Sequence, residues 1–390
     1  MVGALPLGML SLGLLLFLRT WTGSLADAGL GIGVFGVGNA VGLSFQGRLI
    51  DRAGQTTVLV SAGLACAAWI GVLVTIAPAT GSMALALVAS AGAGSTFPAT
   101  TGSMRVLLAE LVAEAEDRTA GYALLAMLFQ LALLTGPLAT SLLLTPVGPG
   151  GAVLVAGGLA GAAGVLFAAT GASRAWRPHP QAARTVTPAV RTHRTLLPLL
   201  VIATGAGISA GLISVAVPAA ALSHAAAGDS GQLLAMSSAG EIVGGFAFGA
   251  RRWRCSATRQ LLATLAGAMV AACLTASVSG RLTWLFAAML LTGACTGPFA
   301  VASSDLLDTV TPKAALTQSY TLMVGIGLLG VSLGSSAGGA IVDAAGYQMA
   351  FTINACWLGC LLVIGVLIHP ALARQPPEPT SVIQEDHRRR

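Results

Sequence analysis

Twelve apolar runs follow one another along this chain, most of them long enough to cross a lipid bilayer as helices. A helix rises about 1.5 Å per residue and needs about 20 residues to span the hydrocarbon core. The runs fall near 2–18, 29–47, 57–77, 83–108, 121–144 and 151–171, then near 195–221, 231–250, 258–279, 282–304, 315–340 and 347–369. Short breaks carrying charges, proline or Gly-rich turn signals separate them. Lipid offers the backbone no hydrogen-bonding partner, so runs of this kind must satisfy themselves as helices. The expected fold class is an all-α membrane protein with twelve transmembrane helices.

Composition excludes a soluble alternative. Charged residues make up 9 % of the chain and hydrophobic residues 55 %, where a soluble domain carries roughly 25 % charged. The 50 glycines would weaken soluble helices, but in lipid they let helices approach closely. The first run resembles a signal peptide, with small residues at Gly23, Ser24 and Ala26. It lacks a basic leader and further runs follow, so it reads as the first helix. The chain enters that run almost at Met1, which leaves open a leader lost to truncation or a misplaced start codon.

Charge placement predicts the topology. The net charge of +6 lies in short breaks without interleaved aromatics, which argues against a nucleic-acid partner. With the N-terminus inside, eighteen of the 20 Lys and Arg residues fall in cytoplasmic segments or adjoining helix ends, and only Arg19 and Arg281 fall outside. That bias predicts an N-in, C-in arrangement, and richness in Gly, Ala and Arg suggests a high-GC bacterium and with it the plasma membrane. The longest polar break, 173–195, holds Arg174, Arg177, Arg184, Arg191 and Arg194 and no acid. It reads as a cytoplasmic linker that fixes topology, in preference to a site for anionic lipid. It divides a first half, 1–172, from a second, 196–369, with a cytoplasmic tail at 370–390.

The halves repeat at an offset near 200 residues. Pro98 and Pro298 are each followed seven residues on by a charge, Arg105 and Asp305. Tyr122 matches Tyr320, Gly136 matches Gly334, and Val41, Gly42 and Gly47 match Val243, Gly244 and Gly249. Any one pair is weak in a chain so rich in Gly and Ala, but the constant offset is stronger. Equivalents are six helices apart, so both halves insert alike about a pseudo-twofold axis along the membrane normal. A central site between the halves follows.

Between the second and third runs stand Gly47, Arg48, Leu49, Ile50, Asp51, Arg52, Ala53, Gly54 and Gln55. This segment resembles the signature loop of the major facilitator superfamily, Gly-x-Leu-x-Asp-Arg-x-Gly-Arg-Lys. Gly47, Leu49, Asp51, Arg52 and Gly54 match in order, whereas Gln55 and Thr56 replace the basic pair. A degenerate counterpart starts at Gly249, and the resemblance covers essentially the whole chain. It implies the major facilitator fold, two pseudo-symmetric six-helix halves, and an Asp51 that meets the start of the eleventh helix when the cytoplasmic side closes. Gly47, Asp51, Arg52 and Gly54 would then form a conformational latch. On physical grounds Gly47 permits close packing and Gly54 a tight turn, while an acid at a helix N-terminus gains roughly 0.3–1 kcal/mol. Topology and turn formation are the plainer role. In the fifth run, Gly136 and Pro137 resemble part of the Gly-Pro motif of drug/proton antiporters, although Thr140 and Ser141 stand where paired glycines would. A simple kink is the plainer reading there.

Few polar side chains interrupt the runs. A charge at the bilayer centre costs about 2.5–3.5 kcal/mol on insertion scales, so it tends to face a cavity. Glu241, in the eighth run, has Asn39 as its repeat mate in the second. It can bind a proton, pair with a cationic substrate, or serve as a protonated group bonding helices together. Gln130 is a candidate cavity hydrogen-bonder or interhelical bridge. Arg105 and Asp305 could form a gate between halves or remain solvated. Thr96, Thr100, Thr101, Thr204, Ser209, Ser214, Thr292 and Thr296 suit a cavity for an amphipathic solute. No His lies mid-run, so a His relay is not expected. The six cysteines lack metal-ligand spacing, and neither metal nor cofactor is expected.

A membrane-embedded enzyme would need a clustered nucleophile, base or metal site, and the sequence offers none. No phosphate-binding Gly-Lys-Ser/Thr loop is present either. The resemblance implies a secondary active transporter, with proton-coupled efflux of a small amphipathic molecule as the leading expectation. A nutrient symporter or facilitator of the same fold is the alternative. A monomer is expected.

Overall fold

Turn chemistry at the ends of the apolar runs sets the element order. The computed structural model describes residues 3–112, 114–176, 190–251, 253–311 and 316–373. Arg177, Arg184 and most of the tail at 370–390 lie outside the described residues. Helix α1 (Leu5–Thr22) ends at Gly23, whose φ of 78° makes the left-handed cap. Ser24 then caps α2 (Leu25–Ala53), its hydroxyl accepting from the Asp27 amide. Helix α3 (Gln55–Gly71) starts beyond Gly54 at φ 87° and continues through a π turn (Val72–Ile76) into α4 (Ala77–Thr80). There follow α5 (Met83–Ser95), α6 (Thr100–Leu111), α7 (Ala115–Ala169), α8 (Gly171–Ala175), α9 (Val190–Ser223), α10 (Asp229–Gly249), α11 (Ala257–Val278), α12 (Leu282–Val310) and α13 (Leu316–Ala373). Among the described residues there is no strand.

Nine helices or joined helix pairs among the described residues are long and apolar enough to cross a membrane. Two of these spans run to 50 residues, about 75 Å at 1.5 Å per residue, far beyond one crossing. Each contains a glycine outside helical geometry, Gly148 (φ 69°) in α7 and Gly346 (φ 82°) in α13. The packing shows that the chain reverses there. Gly8 and Gly13 of α1 meet Ala132 and Thr140 in rising order on the first arm of α7, whereas Phe17 and Gly13 meet Gly150 and Val153 in falling order on the second. In α13, Gly330 and Gly338 follow Thr204 and Leu212 of α9 upward. Beyond Gly346 the order inverts: Asn354 accepts from Ser209, and Trp357 donates to the Gly205 carbonyl. Helix α10, 21 residues with Glu241 at its middle, falls outside the nine because it is more polar.

The sequence run 83–108 is broken in the structure at residues 96–99. Pro98 supplies no amide and disfavours helix before it. The freed groups are taken up by one side chain. Gln46 donates to the carbonyls of Ser95 (3.0 Å) and Phe97 (2.9 Å), and its oxygen accepts from the Ala99 amide (3.1 Å). Its repeat partner Pro298 sits inside an unbroken α12, so the halves differ here.

Elsewhere the repeat holds in three dimensions. A Cβ on Gly42 would strike the backbone of Ser95, and one on Gly244 that of Ala294. Gly136 packs on the backbone of Gly8, and Gly334 on that of Ile208. In both halves the second rod is thus pressed against the fourth and the first against the fifth.

The buried side chains show how the halves sit. One apolar cluster joins them, running from Leu14 and Ile32 through Val215 and Leu233 to Met289 and Phe351. Two further clusters stay within one half each, one around Ile50, Leu59 and Leu107, the other around Leu199, Leu265 and Leu307. The halves are therefore knitted together at the end carrying Ser24 and Gly346. Among the described residues they share no apolar cluster at the end carrying Asp51, the separate end.

Candidate functional site

The joined end is held by helix N-termini of one half capped from the other. Asp343, near the end of the first arm of α13, accepts from the Ser24 hydroxyl (2.7 Å) and from the backbone amides of Leu25 (3.0 Å) and Ala26 (2.9 Å). A carboxylate there meets both unpaired amides and the positive end of α2. Across the bundle, the Ser141 hydroxyl of α7 accepts from the Gly231 amide in the first turn of α10 (2.9 Å). Helices α2 and α10 are repeat equivalents, so each half caps the other's second rod.

Below the caps, glycines bring the backbones together. Gly29 and Gly33 of α2 lie against the carbonyls of Ser335 and Ser332 on α13. The Pro137 carbonyl of α7 lies against Gly231. Of the Gly-Pro pair on α7, Gly136 packs on α1 and Pro137 at this seam. The Thr140 hydroxyl donates to the Met9 carbonyl (3.1 Å). In this chain, residues at and beside the Gly-Pro position bond α7 to α1 and to the opposite half.

Deeper in the bundle the seam becomes polar. Gln130 of α7 donates through Nε2 to Glu241 Oε2 of α10 at 3.0 Å, a side-chain bond between the halves. Gly293 and Gly297 of α12 press on the backbone of Glu241, which fixes where its carboxylate emerges. Asn39 is buried on α2, where Gly94 packs on its backbone amide. This mirrors Gly293 on the Glu241 amide, so the two residues occupy equivalent places. Glu241's hydrogen bond comes from Gln130.

Several of the hydroxyls singled out above are committed to local bonds. Thr96, Thr204, Ser214 and Thr296 donate to carbonyls of their own helices. Thr292 pairs with Thr275 at 2.9 Å, and Ser209 with Asn354 at 2.7 Å, both inside the second half.

At the separate end, Gly47 has no atom within 4 Å of where a Cβ would stand, so it mediates no close packing in this structure. Gly54 makes the turn. Asp51 and Arg52 are exposed. Arg105 and Asp305 are exposed as well. The Arg105 charge lies within electrostatic reach of the Tyr320 hydroxyl, which donates to Asp308 (3.1 Å).

Sequence reasoning passed over Asp343, Gln46 and the role of Ser141. An acid two to three residues before a turn glycine, and a Ser-x-x-Asp cap at 24–27, were the available signals for the first.

Helical rods in two repeated sets, packed together at one end and bridged deeper in by the Gln130–Glu241 bond, are the architecture of a membrane transporter. The family model of the Major Facilitator Superfamily matches residues 1–218 and 199–388, and the chain belongs to that family. It is a multi-pass membrane protein and a secondary transporter. Among solved structures, a variant of the nucleoside transporter NupG superposes with a TM-score of 0.76 at 12% identity, covering 96% of this chain and 97% of that one. A bacterial homolog of the human lysosomal transporter Spinster, in an inward-facing and unoccupied conformation, gives 0.72 at 14%, covering 96% of each chain. A variant of the peptide transporter POT in complex with alafosfalin gives 0.70 at 15%, covering 96% and 93%. These likenesses are of fold. No curated protein matches the chain in sequence.

Proposed function

We propose that this protein exports a small amphipathic organic molecule across the plasma membrane in exchange for protons, with Glu241 as the proton-carrying group. The observation that carries the reading is the Gln130–Glu241 hydrogen bond between halves. An ionisable side chain in a membrane helix is expensive and so marks a pathway. This bond crosses the seam that alternating access must open and close. Protonation of Glu241 would alter that bond, and so tie proton binding to the movement of the halves. Asn39 and Gln130 complete a weakly charged lining suited to an amphipathic solute.

The reading includes twelve crossings, obtained by dividing α7 and α13 at their glycines and counting α10 with them. It takes halves at 1–172 and 196–369, a linker at 173–195 and a tail at 370–390, in a monomer. The Lys and Arg bias supports N-in and C-in orientation. The end joined by Asp343 then faces outward, and the separate end, with Asp51, Arg52 and the Arg105–Asp305 pair, faces the cytoplasm. Asp51 and Arg105 would engage their partners when that end closes.

Uptake of a metabolite with protons uses the same carboxylate in the opposite direction, and is the second reading. Inverted membrane vesicles separate the two. A panel of lipophilic cations and antibiotics is added while the pH gradient is recorded for wild type and Glu241→Gln. Export predicts a compound that dissipates the gradient with wild type alone. A panel with no such compound removes the support for drug/proton exchange.

A further inference from the structure

Gln130 and Glu241 bond each other across the seam. Asn39, the repeat mate of Glu241, makes no side-chain hydrogen bond among the described residues. It is 5% exposed, and native proteins leave few buried amides in that condition. Its polar atoms are not sealed in, as the amide of Gln55 and the hydroxyl of Ser90 are, so the little surface that Asn39 keeps open includes its amide. Gln46, two turns further along α2, shows the usual alternative. Both ends of its amide are bonded to the backbone around Pro98.

Helix geometry gives the direction in which the Asn39 amide points. Successive residues turn by about 100° at 3.6 residues per turn. On α2, Gly38 and Gly42 face the backbone of α5, and Gly29 and Gly33 face that of α13. Leu30, Val37 and Val41 form the exposed face. Asn39 falls between the two packed faces and opposite the exposed one, so it looks toward the middle of the bundle. The same holds for Glu241 on α10, where Gly240 and Gly244 face α12, Gly231 faces α7, and Met236 and Val243 are exposed. The two polar groups therefore look inward from opposite sides of the pseudo-twofold axis. Asn39 is also held in place. Gly94 packs on its backbone amide, and Phe35, one turn earlier, sits edge-on to Phe97 with ring centres 6.4 Å apart.

A primary amide offers N–H donors and a carbonyl acceptor in one plane. A neutral group with the complementary pair satisfies both at once. Such a site discriminates strongly, since a ligand lacking one member leaves a buried polar group unpaired. We propose that Asn39 is the specificity residue of the transport site, and that the solute carries a neutral, planar amide-type group (a carboxamide, lactam or cyclic imide) that pairs with it. The inference rests on the reading of Asn39, Gln130 and Glu241 as the lining of the solute's path. It puts the polar end of the solute on the α2–α13 side and leaves the Gln130–Glu241 pair, across the axis, free to carry the proton.

The test reads binding to the full chain in detergent, with no proton gradient, through the thermal unfolding midpoint. One arm titrates para-butylbenzamide and the other methyl para-butylbenzoate. The two share an apolar body and a carbonyl, but the ester has no N–H donor. Wild type should show a saturable rise, with about five- to tenfold less amide than ester needed for half the effect. Asn39→Leu and Asn39→Ala should lose that preference and take both probes alike. Asn39 bonds to nothing in the protein, so the leucine variant should fold at least as well as wild type. A merely structural Asn39 would move the starting midpoint of both variants and leave the preference intact. No saturable rise with the amide, an amide no better than the ester, or a preference that survives in both variants overturns the proposal. The vesicle experiment with Glu241→Gln fails separately. An amide preference without any compound that dissipates the gradient removes proton exchange and leaves the Asn39 site standing, and the reverse result removes the Asn39 site alone.

Discussion

Asp343 and Ser24 join the two halves of the transporter through a hydrogen bond of 2.7 Å, at the point where Ser24 is also the N-cap of α2. The serine hydroxyl donates to the opposite half while its oxygen accepts from Asp27 within its own helix. One residue thus starts the helix and ties it to its partner. The Asp343 bonds cross between the halves, so parting the halves at this end would break them and leave the fold of each half untouched.

Replacing the carboxylate should therefore move populations. Asp343→Asn keeps the shape but loses the charge facing the α2 N-terminus, at a cost of about 1 kcal/mol, or about fivefold in the ratio of the two states. Spin labels placed across the seam should report a larger fraction of widened distances at this end. The melting midpoint should change little. An unchanged distance distribution would show that the cap does not hold the state.

Ser141→Ala removes the matching cap on α10, where the hydroxyl accepts from the Gly231 amide. It should widen the same end by a similar, somewhat smaller factor, since no charge is involved. The two caps share no partner, so their free energies should add within about 0.5 kcal/mol in the double variant. A double variant no more open than Asp343→Asn alone would mean that only one seam controls the state.

The glycines beneath the caps act by close approach. A Cβ on Gly33 would lie 2.7 Å from the Ser332 carbonyl and closer still to the Ser336 hydroxyl. Gly33→Ala should therefore wedge α2 from α13, disfavouring this state by about 1–3 kcal/mol. A thiol-reactive probe directed at a single cysteine nearby on the joined end should label faster in this variant than in its parent. Equal labelling rates would show that the backbones relax without opening.

The rods and their pairing were legible in the sequence because lipid permits so little else. Apolar length, a repeated offset and the Gly47–Gly54 loop each pointed to the same architecture. Glu241 was legible for a similar reason, since a mid-run carboxylate stands out against apolar neighbours. Its partner Gln130 was legible only as a residue type, because the bond depends on which faces of α7 and α10 meet. Asp343 was hidden by its position beside a turn, where an acid ordinarily means solvent. Gly47 was assigned a packing role, but no atom stands within 4 Å of where its Cβ would be, because a glycine in a sequence does not say which helix face meets a neighbour.

Gln46 presents the opposite case, a polar residue whose work is purely structural. Three backbone groups freed around Pro98 depend on it: two carbonyls and the Ala99 amide. It is 4% exposed, so water cannot take its place without entering the core. Gln46→Leu should leave those groups unsatisfied, at about 1–3 kcal/mol for each one that stays buried. The thermal midpoint in detergent should fall by several degrees, and far more than for Asp343→Asn. Gln46→Glu separates the parts of the effect, because it can still accept from Ala99 but, when ionised, repels the two carbonyls. It should be no more stable than the leucine variant at neutral pH and should recover as the pH falls and a protonated carboxyl can again donate. A leucine variant as stable as wild type would show that the chain around Pro98 re-forms its bonds without help from α2.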